Sequence, residues 1–193
     1  MGSSAEDRQK ASQLPEGDVI RFLLNQHAQI RDLFDEVESS EGDQRHDAFE
    51  ELRALLAMHE TAEEMVLRPV TEDIAPEGEA AARNAEEQEA NEVLKQLESV
   101  DVSSEDFQRQ FAELKKSVDE HAESEEHEEF PAVLEHCDLD QRRRMGRRME
   151  AVEKLAPTRP HPSTAGSPAK QWTVGPFAAL IDKARDAVSS IRD

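Results

Sequence analysis

Residues 59–69 read HETAEEMVLRP and residues 121–131 read HAESEEHEEFP. Each carries a histidine, glutamates four and five positions on, and a proline ten positions on. On a helix, residues four apart stand one turn from each other on nearly the same face, so each segment can offer an imidazole and a carboxylate together. Such donors suit iron, manganese or zinc, and two bridging carboxylates are how a helical bundle holds a pair of metals.

The neighbouring residues say which way these groups point. His59 shares a helix face with Leu52, Leu55, Ala62 and Val66, with Glu63 one turn on, and His121 and Glu125 stand in the same relation to Leu114 and Val118. His27 lies on the face of Ile20, Leu23, Ile30 and Phe34; Glu87 lies in line with Ala80, Ala90, Leu94 and Leu97, with Asn84 and Gln88 further round. Three imidazoles and three carboxylates thus face a common interior, at a cost of several kcal/mol per buried ion unless a counter-charge is present. The only basic residue near those inner faces is Arg83, one turn before Glu87, which leaves a bound cation as the counter-charge. Counting about 1.5 Å per residue back from the turns places all six residues near one level of an antiparallel arrangement.

The elements that must position them are helical. Charged residues make up 35% of the 193-residue chain and aromatic residues 4%, with no tyrosine, a composition that favours helix over strand. Apolar residues recur at helical spacing in four blocks. The first runs from Asp18, a plausible N-cap, to about Ser39, where SSEGD breaks it; the second runs from about Arg45 to Leu67 and stops at Pro69. The third runs from beyond Pro76 to about Ser99, and the fourth from Ser103 or Ser104 to the Phe130–Pro131 step, with the basic stretch QRRRMGRRMEAVEKL extending or following it. The fold class expected is all-α: an antiparallel up-down four-helix bundle over 18–155 after a flexible N-terminus at 1–17. APTRPHPSTAGSPAK, 156–170, reads as a Pro-rich linker. The segment 171–193 reads as an amphipathic helix with Phe177, Leu180, Ile181, Ala184, Val188 and Ile191 on one stripe. That stripe needs cover, expected from the bundle of the same chain, with a homodimer contact or another protein as the alternatives.

A net charge of −21 argues against nucleic acid and anionic membrane surfaces as partners. A single cysteine, Cys137, excludes an internal disulfide framework, and with no signal-like N-terminus or membrane span the expected location is the cytoplasm.

With these residues in place the chain resembles the hemerythrin-like HHE cation-binding domains, whose pattern is a His on the first helix, HxxxE on the second, a His on the third and HxxxE on the fourth. His27, His59 with Glu63, and His121 with Glu125 match, the last followed by EEFPAVLE, and the likeness spans roughly 18–155. The linker and a VGP-initiated C-terminal segment are similar to actinobacterial members. One position departs: laying the third-helix pattern on AEEQEANEVLKQLE puts Glu87 where the family carries His, and shifting by one to Gln88 would take Ala90, Leu94 and Leu97 out of the core.

The resemblance implies two oxo- or hydroxo-bridged iron ions held by His27, His59, Glu63, Glu87, His121 and Glu125, zinc or manganese being the other metals considered. It implies that Glu63 and Glu125 bridge, His27 and His59 hold one metal, and Glu87 and His121 hold the other. A carboxylate in place of an imidazole favours Fe(III) and lowers the potential. The implied partners are O2, peroxide or NO, with catalase-like or NO-peroxide activity or sensing rather than reversible oxygen carriage. The alternative is an interaction or sensor protein, metal-poor or with iron or zinc in a structural or storage role. Glu60 and Glu64 point away from the His59 face, His127 and His136 fall on the surface, His161 lies in the linker, and Cys137 has no CxxC partner.

Overall fold

The computed structural model describes residues 2–74 and 79–154, and the side chains at 79–81, 84–85, 87–89 and 91 lie outside the described ones. The expected linker and C-terminal amphipathic segment also lie outside the described residues. Among those described there are helices and no strand, and no helix is long and apolar enough to cross a membrane.

The helices are α1 (Ser4–Ser12), α2 (Val19–Ser39), α3 (Gly42–Ala62), α4 (Arg68–Ile74), α5 (Glu79–Leu97), α6 (Glu105–Ser124), α7 (Phe130–His136) and α8 (Leu139–Glu153). Asp18 caps α2 by accepting from the Ile20 N–H, and Ser104, of the two serines considered, caps α6 by accepting from the Phe107 N–H. Side-chain pairs fix the directions. Gln26 meets His59 and Val37 meets Arg45 across α2 and α3, so the two run antiparallel. Arg31 with Asp119 and Lys115 with Asp35 make α2 and α6 antiparallel too.

Two expectations about the ends are corrected. The segment 1–17 was expected to be flexible, but it contains α1, closed by a capping box between Ser3 and Glu6 and packed on α2 with Asp7 and Ala11 buried. Its weak apolar periodicity hides this, because one alanine and a buried ion pair hold it down rather than an apolar stripe. The helices also do not stop at Pro69 and Pro131. A π turn, Glu63–Leu67, joins α3 to α4, and a second, Glu125–Glu129, joins α6 to α7. In each the N–H of the following residue reaches back five positions, Arg68 to the Glu63 carbonyl and Phe130 to that of Glu125. A proline inside an α-helix lacks its N–H and presses on the carbonyl four residues back. The wider turn just before it relieves both conflicts, so the chain stays helical through the proline.

The apolar core falls into two clusters. One gathers Ile20, Leu23, Met58, Val66, Phe130, Val133, Met149 and Val152 from α2, α3, α7 and α8. The other gathers Ile30, Phe34, Phe49, Leu52, Leu94, Phe107, Phe111 and Leu114 from α2, α3, α5 and α6, with Phe49, Phe107 and Phe111 stacked or edge-on at centroid separations of 5.1–6.0 Å. Each fully buried ring or Leu side chain contributes roughly 1.5–3 kcal/mol. Along α2 and α3 the boundary between the clusters falls near the histidines: Leu24 and Ile30 flank His27, and Leu56 and Ala62 flank His59.

Helix α8 crosses the start of α2 at Gly146, where an added Cβ would stand 2.2 Å from the Gly17 carbonyl oxygen. Gly146→Ala should therefore destabilise the protein by about 1–3 kcal/mol, read as a lower urea midpoint; an unchanged midpoint would contradict this crossing.

Candidate metal centre

Donor atoms of His27, His59, Glu63 and Glu125 all lie within 4.8 Å of one another, and the four residues are buried. His27 comes from α2, His59 from the last turn of α3, and each glutamate is the first residue of a π turn. His121, at the end of α6, joins them with Nε2 3.3 Å from Glu125 Oε1. The side chain of Glu87 lies outside the described ones; its helix, α5, delivers Glu86 to the rim of the cluster.

The three rings share one orientation rule. Each Nδ1 faces outward to an oxygen: His27 to Glu126 Oε1 at 3.1 Å, His59 to Gln26 Oε1 at 2.9 Å, and His121 to Glu86 Oε2 at 3.0 Å. Each Nε2 faces inward to a carboxylate: His27 to Glu125 at 3.4 Å, His59 to Glu63 at 3.5 Å, and His121 to Glu125 at 3.3 Å. An outer acceptor on one ring nitrogen puts the proton there and turns the lone pair of the other inward, the usual pattern around a metal-binding imidazole. The His27 ring is further fixed by stacking on Phe130 and by an edge contact with His59, at centroid separations of 5.5 and 5.1 Å.

Charge in this layer is distributed unevenly. Burial, helped by the neighbouring positive charge of His27, pushes His59 down to about 3, so its inward nitrogen carries no proton at neutral pH. Burial also works against a charged His27, yet hydrogen bonds and charge from Glu125 and Glu126 hold it above its ordinary value. Glu125, although buried, stays well below the usual carboxylate range because of the charge and hydrogen bond of His121, with His27 adding to both.

Imidazole nitrogens and carboxylate oxygens thus face one another in a buried layer, His59 Nε2 toward Glu63 and His27 and His121 Nε2 toward Glu125. A set of imidazole nitrogens and carboxylate oxygens converging in this way fits iron, manganese or zinc.

The Hemerythrin HHE cation binding domain family matches residues 18–133. The chain belongs to this family. An uncharacterized hemerythrin-like protein of Schizosaccharomyces pombe is 32% identical over 134 residues, which cover 68% of this chain and 66% of that protein. The chain thus aligns with just under two thirds of the relative's length. No solved structure matches the chain. As a hemerythrin-family domain the chain is a metal-binding protein, and the His/Glu layer is its candidate site.

Sequence reasoning missed the outer partners. Glu126 is the glutamate at the fifth position of the second repeated segment; its counterpart Glu64 is exposed, so the repeat is not functionally symmetric. Gln26 and Glu86 each adjoin a residue that was singled out, His27 and Glu87, and carry no spacing signal of their own.

The expectation that only Arg83 could offer counter-charge is also corrected. Arg68 is buried, with Nη2 3.4 Å from Glu125 Oε1 and Nη1 2.5 Å from Glu129 Oε1. A residue five positions after Glu63 would stand about 140° round a regular helix; the π turn brings it inward, which a count at 3.6 residues per turn could not find. Pro69 following it was the available signal.

Arg68→Met should destabilise the metal-free protein by about 3–5 kcal/mol, because it strands Glu125 and Glu129. Adding Glu129→Gln should recover part of that loss in urea unfolding. Additive losses in the double variant would show that the Arg68–Glu129 pair carries no coupling.

Proposed function

We propose that this chain is a non-haem di-iron protein in which an up-down four-helix bundle holds two ions through His27, His59, Glu63, Glu87, His121 and Glu125, and that the centre reacts with or senses O2, peroxide or NO. The observation that carries the metal assignment is the common inward aim of Nε2 in all three histidines, with His59 held unprotonated opposite Glu63. In this assignment Glu63 and Glu125 would be shared by the two ions, His27 and His59 would hold one, and His121 with Glu87 would hold the other. The pair, when bound, supplies one-electron chemistry and coordination positions for a small oxidant.

The protein's part is binding, orientation and restriction of access. Gln26, Glu86 and Glu126 hold the rings in register. Arg68 braces Glu125, with Nη2 3.4 Å from Oε1. A cavity with about 20 Å³ of room for the centre of a water-sized ligand lies beside the histidines, lined by Ile30, Leu56, Ala90 and Val118 among others. That volume suits one water or a diatomic molecule rather than an organic substrate. These aliphatic side chains share the wall with His27, His59, His121, Arg31 and Asp119, so a guest there lies against the candidate ligands themselves. Glu87 in place of an imidazole makes the second ion more electron-rich and lowers the potential of the pair.

The alternative, a metal-poor interaction or sensor protein, draws on Arg68, which already balances part of the layer's charge without a metal. Iron analysis with an optical spectrum separates the two. Protein from iron-replete cells should carry about two irons per chain and near-ultraviolet oxo-to-iron bands; colourless, iron-free protein would favour the alternative.

Glu63→Ala should release both ions, and Glu87→Ala mainly one. Equal losses would contradict the division of ligands.

Metal affinity should also fall as pH decreases. His59, pushed down to about 3, already lacks its competing proton, whereas His27, held above its ordinary value, must give one up to bind. Chelator competition between about pH 8 and 6 should show weakening toward the acid side; a flat profile would remove His27 from the ligand set.

A further inference from the structure

Helix α1 lies outside the stretch matched by the family, yet two of its side chains reach the layer around His27. Lys10 Nζ is 2.5 Å from Glu126 Oε2, while the other oxygen of that carboxylate meets His27 Nδ1 at 3.1 Å and Arg31 Nη1 at 3.4 Å. Arg31 is held in turn by Asp119 on α6, with Nε 3.2 Å from Oδ1, and by a direct contact with Asp7 of α1. Asp7 is completely buried, and the Glu126 side chain is 4% exposed. The Gly2 N–H donates to Glu123 on α6 at 2.7 Å, so the leading end of α1 is tied to the helix that carries His121.

We propose that α1 is a positioning element of the metal centre, with Lys10 and the Asp7–Arg31 pair clamping Glu126 so that its carboxylate stays on His27 Nδ1 and Nε2 stays aimed inward. The proposal rests on the metal assignment above.

The physical argument compares two roles for α1. As plain cover, α1 has little to offer: nine residues, one fully buried apolar side chain and a half-exposed lysine. Lys10 is half exposed and its charge stays solvated, and Glu126 keeps Arg31 as a second cation when Lys10 is lost, so the Lys10 pair adds little to the hold on the fold. Glu126 is different, because its two oxygens are divided between a cation on each side and the imidazole. Without Lys10 the carboxylate can turn toward Arg31 and leave His27 Nδ1, and the ring then loses the acceptor that fixes its proton. Outer partners of metal-binding imidazoles change affinity by about 10–100-fold, far more than their share of stability. Lys10 and Asp7 are therefore positioning residues, acting on the centre through Glu126 and Arg31.

The test uses the full chain with Lys10→Met, Lys10→Arg, Asp7→Asn and, as a control on the exposed face of α1, Gln9→Ala. Anaerobic Fe(II) titration against a chromogenic chelator reads affinity, thermal melting of metal-free protein reads stability, and ¹⁵N NMR of the metal-free rings, at a pH alkaline enough for His27 to be neutral, reads which of its nitrogens carries the proton.

Lys10→Met and Asp7→Asn should weaken Fe(II) binding about tenfold and shift the His27 ring nitrogens toward a mixture of tautomers. Lys10→Arg and Gln9→Ala should behave as wild type, and the melting point of Lys10→Met should not move. Wild-type affinity and unchanged ring shifts in Lys10→Met and Asp7→Asn would overturn the proposal. So would an affinity loss that merely follows a fall in melting point and is not restored by Lys10→Arg. If wild type bound no Fe(II), the metal assignment would fail, while the ring spectra would still decide whether α1 positions His27.

Discussion

The fold is organised around the confinement of imidazoles and carboxylates in a dry layer between two apolar clusters. Ionised groups cost several kcal/mol each to bury, and mutual attraction offsets this only where geometry satisfies the remaining lone pairs and protons. The protein meets the constraint from two sides. Outward, every ring nitrogen Nδ1 has an oxygen partner on another helix. Inward, the Nε2 atoms and the carboxylates of Glu63 and Glu125 converge, with donor atoms of His27, His59, Glu63 and Glu125 within 4.8 Å of one another. Family membership, the donor set and the charge state of His59 all point to the same completion of that layer, a metal.

The repeated segments in the sequence have a mechanical meaning as well as a chemical one. In each, the glutamate opens a π turn and the proline stands one residue beyond its end. The π turn brings the residue before the proline inward, Phe130 onto the face of His27 and Arg68 onto Glu125. The same backbone device therefore supplies an aromatic support on one side of the layer and a permanent cation on the other. Arg68 cannot lose its charge at any physiological pH, so part of the layer's balance persists without metal.

Helical periodicity was enough to read the all-α class, the cap at Asp18, the choice of Ser103 or Ser104 as a second cap, and the inward faces of His27, His59, Glu63, His121 and Glu125. The histidines sit on regular α-helix and the two glutamates open the π turns that follow it, before the backbone has departed far enough from 3.6 residues per turn to change the direction. Where that count failed, the backbone departs from it: Arg68 and Glu129 lie in or just after π turns and face inward against a regular helical wheel. The α1 helix was missed for a different reason. Its attachment is electrostatic, through Asp7 and Lys10, and leaves almost no apolar pattern to detect. Outer partners such as Gln26 and Glu86 follow from helix packing and cannot be read along one strand of sequence. Glu87, assigned from its place in line with Ala90, Leu94 and Leu97, still rests on that alignment.

The most direct test is anomalous scattering at the iron edge from crystals of protein grown on iron. Two peaks should lie within coordination distance, about 2.0–2.2 Å, of the inward nitrogens of His27, His59 and His121, with Glu63 and Glu125 between them. A layer holding only water or side-chain contacts, or iron bound elsewhere on the acidic surface, would contradict the account.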